Sequence, residues 1–118
     1  MTRFILALPL ALLPAALLAD APVVEKVEAR RGTDGWTFAV TVRHGDTGWD
    51  HYADGWSIFD AKGAEIGHRA LLHPHETEQP FTRSLRGVAI PADLSTVFVK
   101  AHDSVHGWGA PFEVTLTP

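Results

Sequence analysis

From Trp36 to Arg43 apolar and small polar residues alternate without a break, with Trp36, Phe38, Val40 and Val42 sharing one parity. Period-two alternation is the signature of a strand with one buried face. The same period returns at 112–117, where Phe112, Val114 and Leu116 oppose Glu113, Thr115 and Thr117. It is readable, though less regular, at 23–30, 55–60, 65–72, 80–86 and 96–102. Beyond the first 19 residues no window combines helical spacing with capping residues. The pattern therefore predicts an all-β domain of about seven short strands.

Seven short strands separated by turn-rich segments in about 100 residues resemble the immunoglobulin-like or fibronectin-III-like sandwich of two antiparallel sheets. That resemblance is one of architecture and carries no functional residues with it. Three connections, 32–35, 61–64 and 87–95, contain no histidine; the other three, 44–54, 73–79 and 102–110, hold six of the seven. If every strand reverses direction, the second, fourth and sixth connections lie at one end of the sandwich. His44, His51, His73, His75, His102 and His106 are then expected to converge there, with Asp46, Asp50, Asp54, Glu76, Glu78 and Asp103 nearby.

The chain begins with Arg3, runs apolar from Phe4 to Leu18, and then reaches Ala19-Asp20-Ala21, which is the layout of a secretory signal peptide. The expected organisation is a signal peptide over 1–19 and one sandwich domain over 20–118, placed in the periplasm or secreted. The apolar run carries Pro9 and Pro14 and falls short of the roughly 20 residues that cross a bilayer, so no membrane association is expected after cleavage. No cysteine follows any cut, which leaves no residue to carry a lipid anchor and no disulfide to brace the fold. Packing, or packing plus a ligand, must hold the domain. A net charge of −4, about −5 without Arg3, argues against nucleic acid and anionic membrane and leaves cations as partners.

His73-Pro74-His75 sharpens that last possibility. Residues one apart on an extended backbone point the same way, and Pro74 favours extension at His73. Two imidazoles so placed can serve one ion at about 2.0–2.1 Å. The expected site uses His73 and His75 with His102 or His106, and His51 as a further ligand. With no cysteine, and Met1 inside the leader, the donor set points to Cu(II) first and Zn(II) second. The bland alternative is a set of solvated loop histidines with acids as hydrogen-bond partners.

The loops also carry aromatics. Trp49, Tyr52 and Trp108 are expected near the histidine-rich end, with Asp50 and Asp103, either as surroundings that orient metal-bound imidazoles or as a surface for a glycan or envelope protein. Trp56 is expected in the core. A pH-sensing role also fits histidines among acids. His102-Asp103-Ser104 holds the residue types of a hydrolytic triad, but adjacent residues cannot converge on one substrate, and no other catalytic motif is present, so enzymatic activity is not expected. His68 reads as a partner within the sheet. Arg83 shares the inward parity of Phe81 and Leu85, which calls for a bulge or for pairing with Glu76 or Glu78.

Overall fold

The computed structural model describes residues 21–117; the leader assigned to 1–19 lies outside them. Eight strands follow in order: β1 (Val23–Gly32), β2 (Gly35–Arg43), β3 (Ala53–Phe59), β4 (Glu65–Ala70), β5 (Phe81–Val88), β6 (Thr96–Asp103), β7 (Gly107–Trp108) and β8 (Phe112–Thr115). One sheet has the order β1-β2-β5; the other runs β4-β3-β6-β7, with β8 also paired to β6. All pairings are antiparallel, and the described residues contain no helix. The domain is the immunoglobulin-like, fibronectin-III-like sandwich that the alternation predicts.

The alternating strands bury the faces their parity assigns. On β2 Trp36, Phe38, Val40 and Val42 are buried while their neighbours are half-exposed. On β6 Val97, Val99, Ala101 and Asp103 are buried in the same rhythm. β3, flanked by β4 and β6, is an interior strand, and Trp56 and Ile58 on it are fully buried. Each large side chain removed from water in this way contributes about 1.5–3 kcal/mol, and the core is assembled without a covalent brace.

One element differs from the sequence expectation. Gly107–Trp108, read as part of a long connection, pairs back onto β6 through His102↔Trp108 and Asp103↔Gly107. The reversal is tight because Asp103 Oδ1 accepts the Val105 N–H at 2.9 Å and also the His106 N–H, a side-chain-closed turn of the kind aspartate favours. Gly107 then adopts φ 84°, a backbone conformation glycine reaches at no steric cost. Periodicity cannot register a two-residue strand.

Arg83 keeps its inward parity opposite Val40, so the choice between bulge and pairing resolves toward pairing. Its Nη2 donates to Glu78 Oε1 at 3.1 Å and to His75 Nε2 at 3.0 Å. His68 is, as expected, held within the sheet: its Nδ1 lies 2.8 Å from Ser57 Oγ on the neighbouring strand.

Candidate metal centre

The inward rhythm of β2 does not stop at the strand's end. Beyond Val42, His44 and Asp46 are buried on the same parity while Arg43, Gly45 and Thr47 are exposed. Asp103, the last residue of β6, closes the inward row of the opposite sheet and is fully buried. Two inner faces therefore finish in polar side chains that meet: His44 Nε2 lies 3.0 Å from Asp103 Oδ2.

The surrounding contacts fix this pair. His44 Nδ1 lies 2.6 Å from Asp46 Oδ1. The Asp46 carboxylate also accepts the Ala53 N–H at 3.1 Å and, through Oδ2, the His75 N–H at 2.7 Å. Asp103 Oδ2 is met by two further imidazoles, His51 Nε2 at 3.3 Å and His106 Nδ1 at 3.1 Å. The His51 ring sits edge-on to both His44 and His106, at 4.9 and 5.0 Å between centroids. Carboxylates only accept. A positive species, proton or metal ion, must therefore lie between each of these nitrogens and the oxygen it faces.

Three of these residues, His44, His51 and Asp103, offer ligand atoms that all lie within 4.8 Å of one another. A tetrahedral ion with bonds of about 2.0–2.1 Å holds its ligand atoms roughly 3.3–3.4 Å apart. The two observed nitrogen–oxygen separations at Asp103, 3.0 and 3.3 Å, need little expansion to match. Asp46 holding His44 by its other nitrogen is the arrangement that orients a metal-ligating imidazole.

The residues singled out from sequence are distributed as follows. The three histidine-bearing connections meet: Asp46 reaches His75, and Ser104 N–H donates to Tyr52 O at 3.0 Å. Of the five histidines expected as ligands, His51 and His106 face the buried centre. His73 and His75 are close to each other, with ring centroids 4.7 Å apart, but the structure does not place them in the ligand group. His75 is buried and stacked on Phe81 at 4.0 Å; its Nε2 accepts from Arg83, and its Nδ1 is buried without a hydrogen-bond partner. His102 is turned away for a simpler reason: it neighbours Asp103 on β6, so the two side chains leave opposite faces of the sheet. Its Nδ1 is 2.6 Å from Asp54 Oδ1 and its ring is edge-on to Trp108.

Asp103, expected only beside the ligands, contributes the central oxygen, and His44 joins it. Among the expected surroundings, Asp50 is exposed. Trp49 is 67% exposed and packs edge-on against Tyr52 at 5.6 Å on the loop that carries His51. Trp108 lies on the outer face of the larger sheet. Trp56 is core.

Two groups here titrate away from their ordinary values. Burial lowers His75, and the Arg83 guanidinium and His73 lower it further, against smaller opposite effects of Asp46 and Glu78. For Asp103 burial works upward, but the His106 N–H and ring, the Val105 N–H and His51 outweigh it and hold the carboxyl well below the usual carboxylate range. Both folded-state values lie below the unfolded ones, so the unfolded chain binds more protons and stability is lost as the pH is lowered. The His75 contribution is fully present above about 6.5 and is lost below it; that of Asp103 is lost only below the carboxylate value near 3.8. Chemical denaturation is expected to show a loss of stability that sets in below about pH 6.5 and that His75→Phe flattens; an unchanged slope between about pH 6.5 and 5 would refute the assignment.

Comparison with known proteins adds one relative. The chain is 40% identical over 100 residues to a protein of Halomicrobium mukohataei named "Putative lipoprotein"; the match covers 85% of this chain and 49% of the relative. The chain thus spans about half the length of the curated relative it matches. No family model matches the sequence, and no solved structure matches it.

Proposed function

We propose that the protein is an exported metal-binding module in which His44 Nε2, His51 Nε2 and Asp103 Oδ2 hold one Zn(II) or Cu(II), with His106 as the adjoining fourth donor. The single observation that carries this reading is the convergence of three imidazole nitrogens on one buried carboxylate oxygen, at 3.0, 3.3 and 3.1 Å. Export is supported by the leader-like 1–19 segment and by the name of the relative, which places that protein among lipoproteins; this chain itself has no cysteine. Two or three nitrogens with one carboxylate oxygen suit both metals. A site of this kind serves metal delivery, storage or tolerance in the periplasm or outside the cell.

Protein purified without a histidine tag is expected to bind one ion at this centre and to gain about 2.7 kcal/mol of stability at a metal concentration 100 times the dissociation constant. His51→Ala, which removes a partly exposed ring, should fold and lose most of that gain. Absence of any metal-dependent rise in melting temperature in the wild type would overturn the reading.

One observation favours a second role at the same end. Trp49, Leu72 and Val105, each on a different one of the three converging connections, are 67%, 74% and 58% exposed, an apolar surround of the sort that anchors a protein or glycan partner. Partner binding that survives chelation and is lost in Trp49→Ala would establish that role independently of metal.

A further inference from the structure

On the outer face of the larger sheet, His68 and His102 flank a glycine. Gly55 on β3 is paired with Ala70 of β4 on one side and His102 of β6 on the other, and the His68 ring leans across it from β4. A Cβ on residue 55 would lie 2.9 Å from His68 Cε1 and 3.5 Å from its Nε2, so the missing side chain is what lets this imidazole lie over the strand toward His102. Both rings line a cleft of about 240 Å³ together with Asp54, Glu65 and Trp108.

Each ring is held by the same nitrogen. His102 Nδ1 is bonded to Asp54 Oδ1 at 2.6 Å and His68 Nδ1 to Ser57 Oγ at 2.8 Å. His102 Nδ1 faces a carboxylate and so donates; where His68 Nδ1 donates to Ser57 as well, Nε2 is the acceptor left on each ring, and a hydrogen-bonded Nδ1 is the usual support of a metal-ligating imidazole. The Asp54 and Glu65 carboxylates make the cleft attractive to cations, while the one nearby ammonium, Lys100, is drawn over the Phe59 and Trp108 rings at 4.4 and 5.6 Å. We infer that this cleft is a second metal site, shallow and exchangeable, in which His68 Nε2 and His102 Nε2 take a Cu(II) or Zn(II) ion, with water completing its shell. It uses no residue of the buried centre and lies on the opposite face of the same strand end, since His102 and Asp103 are neighbours on β6.

The test is a titration of the full untagged chain with Zn(II), read by calorimetry for stoichiometry and by long-range proton–nitrogen spectra that resolve the seven imidazoles. Two ions per chain are expected, with the His68 and His102 Nε2 resonances moving together. In His68→Gln plus His102→Gln, one ion should be lost, or weakened at least tenfold, while any shifts at His44, His51 and His106 persist. Unmoved His68 and His102 resonances at saturating zinc, or an unchanged stoichiometry and affinity in the double variant, would overturn the second site. Because the two sets of resonances are read separately, failure of the buried centre to load leaves this result interpretable.

Discussion

Replacing Asp103 with alanine is expected to destabilise the domain by about 3–5 kcal/mol, the range seen when one partner of a buried charged network is removed and the others are left behind. The carboxylate is fully buried and faces five donors: the backbone N–H groups of Val105 and His106 and the rings of His44, His51 and His106. Without it His44 loses a 3.0 Å contact of its Nε2, and the turn that lets Gly107–Trp108 pair back on β6 loses the group that closes it. For a domain of this size each kcal/mol is worth about 4–8 °C, so the melting temperature should fall by more than about 10 °C. His51→Ala is the appropriate comparison, because it removes a 3.3 Å contact to the carboxylate and two edge-on ring contacts from a side chain that reaches solvent, and leaves the carboxylate in place. Thermal unfolding of the two variants side by side decides the matter; a loss below about 1 kcal/mol in Asp103→Ala would show that the carboxylate does not organise this end of the sandwich.

The sheets and the end at which the histidines collect were readable from alternation and turn residues, since parity and chain reversal are nearly geometric consequences of the sequence. Parity extends beyond the strands themselves. The rule that sends Trp36, Phe38, Val40 and Val42 inward also sends His44 and Asp46 inward, and the row Val97, Val99, Ala101 ends in Asp103. Carried one residue past the stretches 36–43 and 96–102, the same alternation names the buried pair His44 and Asp103 and separates His102 from Asp103. The His73-Pro74-His75 motif drew attention by composition instead. Its local geometry is as expected, with the two rings 4.7 Å apart, but the pairing of His75 with Arg83 depends on β5 lying beside that loop, and no local spacing encodes it. The two-residue β7 was illegible for a related reason: it is created by Asp103 closing a turn, a side-chain event.

The second large effect is expected at Asp46, and it separates charge from shape. All three groups that meet its carboxylate are donors: His44 Nδ1 and the Ala53 N–H at Oδ1, and the His75 N–H at Oδ2. Asparagine preserves volume but turns one oxygen into an NH₂ group. Whichever way the amide is placed, it sets donor against donor, either at His75 or at both His44 and Ala53. A buried donor left unsatisfied costs about 1–3 kcal/mol, so Asp46→Asn is expected to lose about 2–4 kcal/mol although it removes no atom from the core. The connections before β3 and before β5 are tied together through this side chain and through Gln79, whose Oε1 accepts the His44 N–H while its Nε2 donates to His75 O, so hydrogen exchange should quicken at Ala53 and His75 together. The metal response should weaken as well, since Asp46 does not reach the proposed ion and acts on it solely by holding His44 in place. Wild-type zinc affinity in a destabilised but folded Asp46→Asn would show that His44 is positioned by the core alone.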